Sequence, residues 1–259
     1  METHRTIAEL RRALAPFRGG SSVGLVPTMG ALHAGHAALI AAAARECELV
    51  VVSVFVNTPQ FGDAADLAAY PRDLAGDAAL AAESGAGLLF APEPGELYPP
   101  GFATWVDPSG AAEGLEADHR PGHFRAVATV CVKLFGIVRP ARAYFGRKDA
   151  QQVSVLKQVV ADLNIELELR VIDTVRDPDG LALSSRNGRL SPAERARAAA
   201  IPRALATRDP ERAREALLKA GIEPEYVALA DLDGPTLVLA ARVGSTRLID
   251  NLRLEGERR

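Results

Sequence analysis

Ten residues at positions 48–57, ELVVVSVFVN, leave few folds open to this chain. They form a continuous apolar and β-branched run in which polar and apolar residues do not alternate. Such runs are typical of strands buried on both faces, as in a parallel sheet covered by helices. Further strand-like and helical segments alternate up to Ile172. The pattern therefore predicts an α/β fold with a doubly wound parallel sheet.

The composition changes after Arg189, which indicates a second domain. Ser191 and Pro192 are typical of a helix start, with serine as the cap and proline in the first turn. We expect two helices rich in arginine and alanine, then three short strands in EYVALADL, TLVLAARV and TRLIDNL. The predicted architecture is a Rossmann-like domain at residues 1–175 and a smaller C-terminal α+β lid domain at residues 176–259.

Charge and hydropathy exclude several classes of function. The net charge of −3 gives no electrostatic reason to expect nucleic-acid binding. No apolar run reaches the roughly 18 residues that span a bilayer, and the N-terminus lacks the apolar core of a signal peptide. The two cysteines do not suggest a disulfide framework. A cytoplasmic enzyme with no membrane partner is the expectation.

The segment from Gly24 to Ile40 is typical of a strand, a glycine turn and the start of a helix. His33 and His36 fall where that helix begins, three residues apart, so both imidazoles can lie on one face. The first N–H groups of a helix have no internal partners, so this is a suitable place for phosphate. Two alternatives stay open: a pair of ordinary surface histidines, or a metal site with a third ligand from elsewhere.

Two later segments carry similar chemistry. In ARAYFGRKDAQQ a short strand precedes Gly146 and Lys148, and Asp149 is a predicted helix N-cap. Only four of the 30 basic residues are lysines, which makes a lysine in a glycine turn notable. DGLALSSRN supplies Ser184 and its neighbours near the domain boundary. Several phosphate donors fit phosphoryl or nucleotidyl transfer, although the Gly-Lys-Ser/Thr phosphate loop is absent.

Together these motifs resemble one enzyme family. PTMGALHAGH, FVNTPQF, FGRKDAQQ, DGLALSSRN and TRLIDN are similar to the pantothenate synthetase (pantoate–β-alanine ligase) family of the HxGH nucleotidylyltransferase superfamily, in the same order and over nearly the whole chain. The resemblance implies ATP-dependent condensation of pantoate with β-alanine to pantothenate, AMP and pyrophosphate, through a pantoyl adenylate. It also implies a homodimer and Mg²⁺ on the ATP phosphates, with few protein ligands.

The resemblance further assigns roles to residues. It makes His36, His33 and Lys148 catalytic, with His36 as the proton donor. It assigns ATP binding to Met29, Gly30, Ala31, Leu32, His33, Ala34, Gly35, His36, Gly146, Arg147, Lys148, Asp149, Val175, Leu183, Ser184, Ser185 and Arg186. It assigns the pantoate and β-alanine site to Gln60, Gln152, Asn57 and Tyr70. No protein metal ligand is expected.

Some positions depart from the family pattern, and other functions stay possible. The family usually has Asn-Pro-x-Gln-Phe where this chain has Asn57-Thr58-Pro59-Gln60-Phe61. Arg147, Ala150 and Leu183 replace an acidic residue, an aromatic residue and a methionine that are common there. One alternative is a nucleotidylyltransferase acting on a phosphorylated cofactor precursor. The other is a regulator that binds nucleotide without turnover.

Overall fold

The computed structural model describes residues 1–18 and 22–254, and these contain two sheets. The strands of the larger sheet are β1 (Glu2–His4), β2 (Val23–Thr28), β3 (Leu49–Val54), β4 (Leu88–Phe90), β5 (Arg142–Gly146) and β6 (Glu168–Ile172). The strands of the smaller sheet are β7 (Pro224–Asp231), β8 (Pro235–Val243) and β9 (Thr246–Arg253).

The helices alternate with the strands of the larger sheet and then precede the smaller one. Their bounds are α1 Ile7–Leu14, α2 Ala34–Glu46, α3 Ala64–Ala68, α4 Leu74–Glu83, α5 Pro94–Leu97, α6 Glu116–His119, α7 His123–Val138, α8 Ala150–Asp162, α9 Pro192–Ala198, α10 Ala200–Leu205 and α11 Pro210–Lys219. Within the described residues, none of these helices has the length and apolar character needed to cross a membrane.

The predicted doubly wound parallel sheet is confirmed. The larger sheet has the order β1-β4-β3-β2-β5-β6, and all of its neighbouring strands are parallel. Val50, Val51 and Val52 of β3 are at most 1% exposed, which explains why this strand shows no alternation. Strand β1 was not predicted, because three residues at a sheet edge are too short to show a hydrophobic pattern.

The chain packs as two units, each with its own core. One contains residues 1–146 and 155–172, and the other contains residues 147–154 and 173–259. The core of the second unit combines helical residues such as Ile201 and Leu217 with Leu237 and Leu239 of β8. Its three antiparallel strands agree with the predicted α+β class. The domain boundary at residues 175 and 176 stays a prediction.

One local prediction was wrong. We expected two helices after Ser191, but the structure has three: α9, α10 and α11. Pro202 explains the additional break, because it lacks the N–H that would bond to the carbonyl of Ala198 in a continuous helix. Ala199 separates α9 from α10 and keeps a right-handed helical backbone, with φ −60° and ψ −10°.

Candidate functional site

The turn that follows β2 is held by a buried carboxylate. Gly30 and Ala31 both adopt positive φ, +83° and +52°. Oδ2 of Asp77, from helix α4, accepts from the backbone N–H of Ala31 at 3.1 Å, and its Oδ1 accepts from Leu32 at 2.7 Å. A Cβ at position 30 would lie 2.7 Å from Oδ2 of Asp77, so only glycine fits this approach. Burial raises the pKa of Asp77, while the two backbone hydrogen bonds oppose that shift.

His33 and His36 form the cap of helix α2. Nδ1 of His33 accepts from the N–H of Gly35 at 3.1 Å, and Nδ1 of His36 accepts from the N–H of His33 at 3.2 Å. The two ring centroids are 4.2 Å apart. Since both Nδ1 atoms accept hydrogen bonds, each neutral imidazole carries its proton on Nε2. Both imidazoles thus lie at a helix N-terminus, a position that favours an anionic ligand.

A second polar turn follows β3, the strand beside β2. The strands end in register at Thr28 and Val54, so the segments after them leave from the same edge of the sheet. Asn57 precedes the 3₁₀ turn Thr58–Gln60 and Gln60 is its last residue. Nδ2 of Asn57 donates to Oε1 of Gln60 at 3.0 Å. The displaced proline of this segment is thus part of a tight turn that brings the two amides together.

The backbone of Gln60 is anchored from helix α7 and the loop before it. Its carbonyl oxygen lies 3.2 Å from Nδ1 of His123 and 3.3 Å from Nη2 of Arg120. A carbonyl only accepts, so Nδ1 of His123 donates and its Nε2 faces Nη1 of Arg120 at 3.2 Å as an acceptor. Arg120 also pairs with the buried Glu116 at 3.7 Å. None of these three supporting residues was singled out from the sequence.

Tyr70 is buried, and its hydroxyl donates to the carbonyl of Gly30 at 3.4 Å. Its ring also contacts Phe61 edge-on, at 5.5 Å between centroids. The contacts of Tyr70 that the structure gives therefore support the turn after β2. Gly146 lies at the end of β5, which pairs with the other side of β2.

In the second unit, strand β9 fixes the backbone around Lys148. Nδ2 of Asn251 donates to the carbonyls of Arg147 and Lys148 at 2.9 and 2.8 Å. Nζ of Lys148 lies 3.4 Å from Oδ1 of Asp149. Arg147 instead pairs with Asp173 at 3.0 Å. The motif TRLIDN, which had no assigned role, thus supplies the residue that orients the lysine segment.

The neighbouring residue of β9 holds the segment that contains the two serines. Both carboxylate oxygens of Asp250 accept from Arg176, at 2.7 and 3.0 Å, and Asp250 is 3% exposed. Arg176 bridges to Ala182, and the N–H of Leu183 donates to the carbonyl of Val175 at 3.0 Å. The structure therefore brings Val175 and Leu183 together in the second unit.

The remaining predicted residues of this unit lie on two short elements. Ser184 caps the 3₁₀ helix Ser185–Arg189, because its hydroxyl oxygen accepts from the N–H of Arg186 at 3.2 Å. Asp149 directly precedes α8, and Gln152 is half-buried in the first turn of that helix. Sequence patterns could not identify Arg176, Asp250 and Asn251, because their roles depend on partners far along the chain.

Each unit, taken by itself, carries groups of the kind that bind phosphate. Among residues 1–18 and 22–254, no group of three or more His, Cys, Asp or Glu side chains could hold a metal ion. Imidazole N–H groups, an ammonium and hydroxyls are donors that bind phosphate oxygens.

A doubly wound parallel sheet with a capping histidine pair at its carboxyl edge defines an α/β protein of the HxGH type. Residues 2–253 match the pantoate-beta-alanine ligase family, and the chain belongs to that family. Pantothenate synthetase from Rhizorhabdus wittichii is 50% identical and covers 98% of this chain and 99% of its own length. The enzyme of the same name from Chloroflexus aurantiacus is 48% identical, with 99% of both chains covered.

Solved structures agree with this assignment. Pantothenate synthetase from Thermus thermophilus superposes with a TM-score of 0.90 at 45% identity, covering 98% of this chain and 99% of that one. Pantoate-beta-alanine ligase from Francisella tularensis, in complex with beta-gamma ATP and β-alanine, gives a TM-score of 0.90 at 35% identity. That match covers 98% of this chain and 97% of the other.

Proposed function

We propose that this protein condenses pantoate with β-alanine at the expense of ATP. The pantoate carboxylate attacks the α-phosphorus of ATP, which forms pantoyl adenylate and releases pyrophosphate. The amine of β-alanine then attacks the acyl carbon, loses a proton and releases AMP. The observation that carries the proposal is the family match over residues 2–253, together with relatives near 50% identity over almost the whole chain.

In the first step, the nucleotide-binding residues stabilise negative charge. His33 and His36 donate from Nε2 to phosphate oxygens, and His36 acts as the proton donor. Lys148 adds a positive charge, which stabilises the transition state of phosphoryl-type transfers. Met29–Gly35, Gly146, Arg147, Asp149, Val175 and Leu183–Arg186 complete the proposed ATP-binding set. Their role is to hold the triphosphate, because such chemistry depends mainly on positioning.

The acid substrate is held by neutral amides. Gln60 and Gln152 bind pantoate, with Asn57 and Tyr70 in support of that pocket. The pantoate carboxylate must act as a nucleophile. Neutral amide donors lower its nucleophilicity less than closely bound cationic side chains do. The same residues define the position that β-alanine occupies in the second step.

Three further features belong to the proposal. Mg²⁺ accompanies the ATP phosphates and needs few protein ligands, since this ion usually keeps several of its waters. The protein works as a homodimer in the cytoplasm.

One turnover experiment separates the proposed function from its rivals. Purified protein is incubated with Mg²⁺-ATP and pantoate, and pyrophosphate exchange into ATP is followed before and after β-alanine is added. The ligase gives exchange with pantoate alone and releases AMP when β-alanine is present. A nucleotidylyltransferase would require a phosphorylated second substrate and release a stable dinucleotide. Nucleotide binding with no turnover under any of these conditions would indicate a regulator.

A further inference from the structure

The side-chain amide of Asn57 has one orientation that satisfies its neighbours. Nδ2 lies 3.2 Å from the carbonyl oxygen of Ala126 in helix α7. A backbone carbonyl can only accept, so the atom facing it must be the amide nitrogen. Oδ1 therefore faces the hydroxyl of Tyr98, at 2.7 Å. Asn57 is 1% exposed, so bulk water does not compete for these hydrogen bonds.

The orientation of Asn57 determines that of Gln60. Nδ2 of Asn57 uses its second N–H on Oε1 of Gln60, at 3.0 Å. Gln60 therefore turns its acceptor toward Asn57 and its two Nε2 donors the other way. Its backbone cannot shift to compensate easily, since His123 and Arg120 both hold its carbonyl.

Tyr98 is suited to act as a permanent donor to this pair. Burial raises the pKa of Tyr98 to about 12, so the hydroxyl keeps its proton at neutral pH. Its ring stacks on Trp105 at 6.1 Å between centroids and meets Phe102 edge-on at 5.1 Å. These contacts leave the hydroxyl little freedom to turn away from Asn57.

We propose that Tyr98 is a positioning residue that, together with the carbonyl of Ala126, sets the hydrogen-bond polarity of the acid-binding site. With Tyr98 donating to Asn57, Gln60 offers N–H groups and selects a ligand atom that accepts, such as a carboxylate oxygen. Without that donor, only the carbonyl of Ala126 holds the Asn57 amide in this orientation, so Gln60 presents Oε1 in a larger share of the molecules. That oxygen repels a carboxylate but accepts from an amide. The proposal rests on the proposed function, since it takes pantoate as the ligand of Gln60.

The test compares pantoate with its primary amide in Tyr98→Phe. The KM for pantoate is measured by pyrophosphate exchange, and the amide is measured as a competitive inhibitor. Loss of the hydroxyl leaves a buried acceptor unsatisfied, so we expect the KM for pantoate to rise about tenfold. The inhibition constant of the amide should stay unchanged or fall, and the KM for ATP should stay unchanged.

Tyr144→Phe is the matched control. It also removes a tyrosine hydroxyl that donates to a polar side chain, here to Oε2 of Glu46 at 3.0 Å. We expect this control to lower the melting temperature without changing the ratio of the two ligand affinities. Equal weakening of pantoate and amide in Tyr98→Phe, or no change in either, would overturn the positioning role.

Asn57→Asp provides a second route if Tyr98→Phe does not fold. An aspartate at position 57 cannot donate to Oε1 of Gln60, so Gln60 should turn Nε2 toward it. The affinity for pantoate should then fall more than the affinity for the amide, and an equal fall in both would contradict the proposal.

Both ligands are also titrated by calorimetry without ATP. Absence of pantoate-dependent exchange in the unmodified protein refutes the proposed function, whereas an unchanged affinity ratio refutes only the role of Tyr98.

Discussion

Asp77 is the residue whose replacement should best show how the turn before the histidines is held. Its two carboxylate oxygens each accept from a backbone N–H, of Ala31 and of Leu32. Asp77→Asn keeps the shape but replaces one acceptor with an NH₂ group, which leaves one buried N–H without a partner. We expect a loss of about 1–3 kcal/mol in the free energy of unfolding in urea at pH 7. Asp73→Asn is the control, because asparagine caps a helix as well as aspartate does.

Asp77→Asn also tests how the free energy of unfolding depends on pH. Burial raises the pKa of Asp77 above its ordinary 3.8, so the folded protein binds this proton more tightly than the unfolded chain does. The stability that results is present below pH 3.8 and is lost as the pH rises through the raised pKa. The free energy of unfolding of the unmodified protein should therefore fall relative to Asp77→Asn across this window. A difference that grows with rising pH would show that the carboxyl is not held in this way.

Lys148 is the residue with the largest expected effect on rate. Its proposed role is to stabilise charge on the phosphates only as the α-phosphorus is attacked. Lys148→Ala should slow pantoate-dependent pyrophosphate exchange by about 10²-fold or more, as removal of one transition-state donor typically does. Lys219, which is exposed and far along α11, gives the control Lys219→Ala with an unchanged rate. A near-normal rate in Lys148→Ala would remove this lysine from the mechanism.

Strand β9 shows how one element can fix the backbone of another segment, here the one that contains Lys148. Asn251→Asp is isosteric but places a carboxylate oxygen against the carbonyls of Arg147 and Lys148. Two hydrogen bonds of about 1 kcal/mol each are lost, so exchange should fall roughly tenfold or more. The same change at Asn164, in the loop after α8, should have no effect. Equal rates in the two variants would mean that β9 does not position Lys148.

The elements also show what the sequence could and could not predict. Strands β2 and β3 were predictable because burial on both faces leaves a continuous apolar run. Asp77 and Asn251 were not, because their backbone partners lie 46 and 103 residues away and no local pattern encodes such pairs. The histidine cap lies between these cases. The sequence showed that the two histidines could share one helix face. It did not show that both Nδ1 atoms accept hydrogen bonds from backbone N–H groups.

At the scale of the whole molecule, the two cores provide a test of how independently the units unfold. Ile201 lies in the core of the second unit and Ile40 in that of the first, and both are fully buried. The single tryptophan, Trp105, belongs to the first unit, so its fluorescence reports on that unit alone. Circular dichroism reports on both. Replacement of either isoleucine by alanine should cost about 2–5 kcal/mol of unfolding free energy.

Separate cores predict separate responses. Ile40→Ala should lower the midpoint of the unfolding transition that fluorescence detects. Ile201→Ala should leave that midpoint unchanged and add an earlier step to the unfolding curve measured by circular dichroism. Helix α8 opposes this separation, because its first turns belong to the second unit and its remainder to the first. If that shared helix dominates, both signals will shift together in both variants. Such a result would mean that the two cores unfold as one cooperative unit, and that a weakened core in the second unit also weakens the first.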